Sequence, residues 1–445
     1  MSTDKIRGLL VNDLINCLNN EIEYVILRGY ENINSVSGDV DLMISKNNFV
    51  KFLKIIDFLK KKYNLLEINR IDRGYVFMFR LFHHQFDVNY GLKIDIHFNE
   101  NYRGAVYLDA NTILDSSIMT GNIKIPSFEH QVIFNFLQPI LGMGYIPEKR
   151  VMRIRTQLKK INKAKLKYEL DKLFDPNVSK FLFLALTNKK MSLAQKEVKF
   201  LRNKILFNYF QAKPLKFVRN FIKFVFRQLY YKLNYPGLFI VFIGPDGAGK
   251  STAIKSFIKF LNQFVINKES LLMAWRPEFL PRLAKFKKGP NLLDKASKEI
   301  KVKNIPSQLS SFFRYTYYVF DYILGHFLYC RRILTKEGFI IYDRYYYDYL
   351  IQPSYRSYIN LPYLIKELFS IFIPKPDLII YFKSDPKTLF ERKQEETFEE
   401  LSELVLLYEN FIKKNKAIRV VDANKSKTEV VFQIIDIFKN KYGKK

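Results

Sequence analysis

The chain has 445 residues, of which 48% are hydrophobic and 26% charged, and its formal net charge is +30. That length holds more than one domain, and that balance excludes wholesale disorder. No apolar run reaches the roughly 18 residues of a membrane span, and Cys17 and Cys330 are too few for a disulfide framework or a thiolate zinc site.

The charge is unevenly spread. Residues 1–148 carry 15 Lys and Arg against 17 Asp and Glu, residues 149–236 carry 23 against 4, and residues 237–445 carry 35 against 22. These three stretches also differ in texture, and they define the expected domains.

In the first stretch, Glu23–Gly29 is short, apolar and β-branched and reads as a strand, followed by a polar turn over Glu31–Gly38. A second strand is expected over Asp39–Ser45. Asn48–Lys62 has Val50, Leu53, Ile56 and Leu59 near helical spacing. Tyr75–Phe82 and Lys93–Phe98 read as further strands, so residues 1–148 form a small α/β domain. Residues 149–236 read as helices with basic faces, broken near Asp175-Pro176 and Lys213-Pro214. From Leu238–Ile243 onward, strands recur at Gly338–Tyr342 and Asp377–Phe382 with helical patterns between them, which indicates a parallel sheet covered on both faces.

The most specific motif is Gly244-Pro245-Asp246-Gly247-Ala248-Gly249-Lys250-Ser251, followed by Thr252. It fits G-x-x-x-x-G-K-[ST], with a buried strand before it and a helical pattern, Ala253–Phe264, after it. The glycines let main-chain N–H groups turn inward around phosphate oxygens, and a helix N-terminus adds partial positive charge to the same place. Lys250 is expected at the β- and γ-phosphates and Ser251 on Mg²⁺. The chain is therefore expected to bind a nucleoside triphosphate, with ATP and Mg²⁺ as cofactors.

The wording of this loop resembles the thymidylate kinase family. Four further segments agree with that family in order: Gly338–Tyr345, which ends in Asp343-Arg344-Tyr345, then Pro376–Phe382, then Asp385-Pro386 with Glu391-Arg392-Lys393, and last Val420-Val421-Asp422-Ala423. The resemblance covers residues 237–445 and implies an ATP-dependent phosphotransferase. It implies Asp343 beside the metal, Arg344 on the acceptor or the transferring group, Arg392 on a lid, and Asp246 on the acceptor side. Where the family has an arginine-glutamate-proline turn, this chain reads Ala274-Trp275-Arg276-Pro277-Glu278, so Arg276 is the residue expected to grip an acceptor phosphate. The family's thymine-reading serine and A-Y-Q element are replaced by Tyr346-Tyr347-Asp348-Tyr349-Leu350, which points to a small-molecule acceptor other than dTMP.

In the first stretch, Asp39 and Asp41 lie at i and i+2 on one face of a strand, and Asp95 lies in another strand of the same period. Three carboxylates on neighbouring strands suit Mg²⁺. With Leu27-Arg28-Gly29 upstream, they resemble the nucleotidyltransferase superfamily that includes polymerase beta, with Arg28 in place of a glycine. The resemblance implies a metal-dependent nucleotidyltransferase-like domain over 1–148, joined by a basic helical connector over 149–236 to the kinase-like domain over 237–445. By analogy with similar fusions, both would act on one metabolite, such as a surface-polysaccharide precursor.

His83, His84, His97 and His130 have no metal-ligand spacing and read as ordinary hydrogen-bonded histidines. Lys213–Tyr235 interleaves Lys and Arg with Phe, Val, Ile and Leu. Two roles fit it: lying on an anionic membrane, or packing its apolar face on the C-terminal sheet, of which the second is preferred. Two rival readings of the whole chain remain open. In one, the basic segment binds nucleic acid and the two sites process its ends. In the other, the protein is a membrane-attached regulator with an inactive N-terminal domain. With no apolar leader after Met1, the expected location is the cytoplasm, free or peripheral at the inner face of the membrane.

Overall fold

A computed structural model describes residues 3–30, 39–85, 88–264, 270–281, 306–394 and 396–443. The turn expected over Glu31–Gly38 lies outside the described residues. The chain divides into two compact units, Met1–Tyr230 with the extreme C-terminus, and Tyr231–Lys441.

In the first unit α1 (Thr3–Glu21) leads into β1 (Tyr24–Arg28), β2 (Asp39–Ile44), α2 (Phe49–Lys62), β3 (Leu66–Asp72), β4 (Val76–Gln85) and β5 (Val88–His97). The five strands form one mixed sheet in the order β1-β2-β5-β4-β3, in which only the β2/β5 pair is parallel. The helix α2 forms because Phe52, Ile55, Ile56 and Leu59 share a face and all are buried, while its last turn carries three lysines that oppose the helix dipole. Small elements follow: β6 (Asn99–Tyr102), β7 (Ala105–Asp109), α3 (Ala110–Asp115), β8 (Ile118–Thr120) and β9 (Ile123–Ile125).

Helices then dominate: α4 (Phe128–Met143), α5 (Glu148–Leu158), α6 (Lys163–Leu173), α7 (Pro176–Thr187), α8 (Gln195–Ala212) and α9 (Pro214–Leu233). The expected break before Pro176 is a helix start: Asp175 accepts hydrogen bonds from the amides of Asn177 and Val178, and proline occupies the first turn, where its missing N–H costs nothing. Leu166, Leu170, Val178, Leu182, Leu201 and Ile205 share one core with Val25, Met43 and Leu108, so these basic helices fold with the first 148 residues as one unit. The helix α9 turns its half-buried side to the same unit. Asn220 Nδ2 donates to Gly104 O at 3.2 Å, Arg227 Nη2 pairs with Asp72 at 3.2 Å, and Phe217 meets Tyr209 and Phe210 edge-on. That is a different surface from the C-terminal sheet preferred on sequence grounds, and the side turned inward carries Asn220 and Arg227, because tertiary packing and not the apolar pattern decides which side of this helix is covered.

The second unit runs β10 (Leu238–Ile243), α10 (Lys250–Phe264), β11 (Ser270–Ala274), α11 (Gln308–Gly325), α12 (Arg331–Leu334), β12 (Phe339–Asp343), α13 (Tyr347–Ile351), α14 (Ser354–Ser357), α15 (Tyr363–Ser370), β13 (Leu378–Lys383), α16 (Pro386–Arg392), α17 (Phe398–Lys414), β14 (Arg419–Asp422) and α18 (Lys427–Tyr442). Its sheet is wholly parallel, in the order β11-β12-β10-β13-β14, so the α/β class expected from the strand–helix alternation holds. All six residues of β10 are buried, as a central strand covered on both faces requires. Chain order reverses around β10: the sheet grows outward to β12 on one side and β13 on the other. In open parallel sheets such a switch point leaves a crevice at the carboxyl ends of the strands.

At the entry to β10 the backbone is close-packed. A Cβ on Gly237 would lie 2.6 Å from Leu334 O, and Gly237 N donates to that same oxygen. Gly237→Ala is expected to lower the stability of the C-terminal unit by about 1–3 kcal/mol. Urea unfolding checks this, and an unchanged midpoint would contradict the packing described.

Candidate active site

The loop between β10 and α10 owes its shape to three glycines with positive φ: Gly244 at 147°, Gly247 at 83° and Gly249 at 81°. A side chain is strained at each, and at Gly244 a Cβ would also come within 3.1 Å of Phe382 O. The turn delivers Lys250 and Ser251 to the first turn of α10. Lys250 is buried, and its Nζ donates to Gly244 O at 2.8 Å and Pro245 O at 2.7 Å. Burial and the neighbouring Arg344 pull its ammonium down to about 8, against the opposing pull of Asp343 and Asp246.

The parallel β10/β12 pairing places Phe242 opposite Asp343 and so brings the end of β12 beside the loop. Ser251 Oγ donates to Asp343 Oδ2 at 2.8 Å, while Asp343 Oδ1 is buried with no hydrogen-bond partner. A buried carboxylate oxygen without a donor is costly unless something else approaches it. This hydroxyl–carboxylate pair fits Mg²⁺, which typically takes one or two protein oxygens and completes its shell from phosphate and water.

Arg344 has φ 74° and is anchored through its amide to Phe242 O. Its guanidinium reaches Asp246 Oδ1 at 2.5 Å and Asp348 Oδ2 at 3.4 Å, and lies 5.2 Å from the centre of the Trp275 ring. Asp348 also accepts from Tyr408 at 2.6 Å. Burial alone would raise the Asp246 carboxyl, but Arg344 and Lys250 hold it below the usual carboxylate range. Asp246 is thus kept as an anion in the mouth of the loop.

These groups line a cavity of about 390 Å³, a size suited to a small ligand. Its walls are Asp246, Gly247, Gly249, Lys250, Ser251, Thr252, Ala274, Trp275, Asp343, Arg344, Arg392 and Lys393. Nearly every residue expected from the sequence meets there. Ala248 is buried behind the loop, and Gly244 contributes the carbonyl that holds Lys250. Arg392, at the end of α16, lines the cavity while donating to Ala423 O at 3.1 Å.

Arg276 is not on that wall. Its Nη1 donates to Asp321 Oδ2 at 2.9 Å, its guanidinium lies 4.2 Å from the centre of the Tyr318 ring, and Asp321 also takes the Leu280 amide at 2.7 Å. The residue expected to grip an acceptor phosphate is instead held by a buried carboxylate. Trp275 and Lys393 are wall residues that sequence reasoning passed over. The signal for Trp275 was its place directly after β11, whose carboxyl end opens on the same crevice.

The N-terminal carboxylates are also brought together. Asp41 faces Asp95 across the parallel β2/β5 pair, and Asp39 faces Lys93. They are, however, already neutralised. Arg28 grips both Asp41 oxygens, at 2.5 and 3.0 Å, and His97 Nε2 lies 3.7 Å from Asp41. His97 Nδ1 is 2.5 Å from Glu100, which also accepts from Tyr107, and Arg80 holds Asp95 at 2.8 Å. Burial disfavours the His97 imidazolium, but Glu100 and Asp41 together push it up to about 10. Asp41, despite burial, is held far below the usual carboxylate range by Arg28. With Arg28 on Asp41 and Arg80 on Asp95, two fixed cations already balance the charge a metal ion would need and would repel it, so these residues do not fit a two-metal centre. Among the described residues no group of three acidic, histidine or cysteine side chains is arranged to hold a metal.

A search of protein-family models matches none to this chain. The thymidylate kinase of Malacoplasma penetrans (strain HF-2) is 28% identical to it over 162 residues, 35% of this chain and 67% of that protein. This likeness supports a thymidylate kinase-like domain within the chain.

Two predictions follow from the charges. Gripping an anion requires Lys250 protonated, so ATP affinity should hold below pH 8 and fall by about tenfold per unit above it; isothermal titration across pH checks this, and a flat profile to pH 10 contradicts it. In the N-terminal unit, His97 is charged in the folded state up to about pH 10 but loses its proton near 6.5 when exposed. Its contribution is therefore complete below about pH 6.5 and lost as pH rises toward 10. Asp41→Asn should cost about 2–4 kcal/mol by stranding Arg28 and His97, and should leave Mn²⁺ titration of the nucleotide-free chain unchanged. A metal-binding heat that vanishes in the variant would contradict the ion-pair reading.

Proposed function

We propose that the C-terminal unit is an ATP-dependent phosphotransferase of the thymidylate kinase type, acting on a small-molecule acceptor other than dTMP. The observation that carries this reading is the convergence on one cavity of Lys250, Ser251, Asp343, Arg344 and Arg392, around a loop shaped by three glycines of positive φ. Phosphoryl transfer needs neutralisation of charge and in-line positioning more than covalent chemistry, and this cavity offers four cations, Lys250, Arg344, Arg392 and Lys393. In this reading Ser251 and Asp343 hold Mg²⁺, which supplies further neutralisation of the phosphate oxygens. Lys250 exchanges its two carbonyl partners for the β- and γ-phosphates. Arg344 positions the acceptor end, fixed from behind by Asp348 and from the side by Asp246.

The acceptor side supports the departure from dTMP. Arg276 is committed to Asp321 and Tyr318, and the tyrosines at 345, 346, 347 and 349 are buried in the core. An acceptor hydroxyl would meet the ionised Asp246 and the indole of Trp275.

The N-terminal unit is read as a nucleotidyltransferase-like domain without metal-dependent activity, because Arg28 and Arg80 occupy the carboxylates that a metal would need. This favours one catalytic head over two.

Lys250→Ala should abolish ATP-dependent phosphorylation while leaving the far-ultraviolet spectrum and unfolding midpoint near wild type. The test is a screen of nucleoside monophosphates, sugars, sugar phosphates and polyols with Mg²⁺ and labelled ATP. Transfer to one class by the wild type alone is the expected result. Equal turnover by the variant, or dTMP as the best acceptor, would contradict the reading.

A further inference from the structure

None of the twenty residues of the helix α9 is buried. At 100° per residue, Leu215, Ile222, Phe226, Leu229 and Leu233 fall within a stripe about 60° wide, with Val218 and Val225 beside them. Leu215 is 86% exposed, Phe226 69% and Leu233 72%. The stripe stands opposite the side formed by Phe217, Asn220, Phe224 and Arg227, through which the helix meets Gly104, Asp72, Tyr209 and Phe210. Folding of the N-terminal unit therefore leaves the stripe facing outward along a helix roughly 30 Å long.

Lys216, Arg219 and Lys223 run along one border of the stripe, and Lys232 lies on the other. Between Glu197 and Asp246 the chain has no Asp or Glu at all. A continuous apolar face bordered by cations, on a helix with no acidic residue of its own, matches one surface in both respects: a bilayer whose acyl region takes the leucines and phenylalanines while anionic headgroups meet the lysines and arginines. The alternatives match it less well. Nucleic acid would meet the cations but leave the aliphatic stripe in water, and a second copy would bring two strongly basic helices together. No helix of the described residues is long and apolar enough to cross a membrane, so such an attachment would be in the interface plane.

We propose that α9 is an in-plane attachment site for anionic phospholipid, inserted through Leu215, Ile222, Phe226, Leu229 and Leu233 and steered by Lys216, Arg219 and Lys223. The proposal stands apart from the phosphotransferase reading and survives its failure.

Flotation of the full chain with vesicles of phosphatidylcholine, with and without phosphatidylglycerol, tests it. Binding to the anionic vesicles alone, weakening as salt rises, is expected. Replacing Lys216, Arg219 and Lys223 together by Gln should reduce that binding on the order of a hundredfold, and Ile222→Glu with Phe226→Glu should abolish it. All five positions are exposed, so an unfolding curve like that of the wild type should accompany both variants. As an independent readout, Phe226→Trp in a Trp275→Phe background should show a blue shift on adding anionic vesicles. Equal binding to neutral vesicles, or full binding by the Glu variant, would overturn the proposal. So would flotation failing while single-stranded oligonucleotides or a second copy of the chain bind through the same residues.

Discussion

A buried ammonium must be satisfied, and Lys250 is satisfied by two carbonyl oxygens of its own loop. Those carbonyls hold the ammonium in place although it is buried and close to Arg344. The cost shows in the ammonium being pulled down to about 8. On the proposed reading a phosphate chain replaces the carbonyls and relieves that cost. The rest of the C-terminal unit serves this arrangement. The central strand β10 sets the loop at the switch point of the sheet, β12 brings Asp343 against Ser251, and Asp348 with Tyr408 fixes Arg344 from beneath.

The two units solve the same electrostatic problem in opposite ways. Both place carboxylates on paired parallel strands. In the C-terminal unit Asp343 keeps one buried oxygen without a hydrogen-bond partner, and cations line an open cavity. In the N-terminal unit Arg28 closes on Asp41 and Arg80 on Asp95, so the charges are spent within the protein and stabilise its fold. Similar residue types thus line an open cavity in one place and form an ion-pair network in the other, depending on whether the counter-charge comes from the chain.

The loop was legible in the sequence because its chemistry is local: eight consecutive residues specify the glycine conformations, the lysine and the serine. Asp343 and Arg344 were legible because they follow directly from a buried strand. What sequence could not supply was pairing across distance. Arg28 and Asp41 are close in sequence, but nothing in their spacing says that the arginine will take both oxygens. Arg276 meets Asp321 across a separation of 45 positions, and that contact removes it from the site it was expected to serve. For α9 the amphipathic pattern marked an apolar face, yet the side turned to Gly104 and Asp72 carries Asn220 and Arg227, because which side is covered depends on tertiary packing that no local pattern encodes. The strands β3 and β6–β9 were missed because short or polar segments take their strand form from their neighbours.

The proposed function requires a single triphosphate site per chain, gripped by Lys250 and shared with a metal held between Ser251 and Asp343. Isothermal titration of the full chain with ATP in the presence of Mg²⁺ measures both parts of that claim. One nucleotide bound per chain, lost in Lys250→Ala and weakened when Mg²⁺ is withheld, is the predicted result. Two nucleotides per chain, or one that persists in Lys250→Ala, would contradict it.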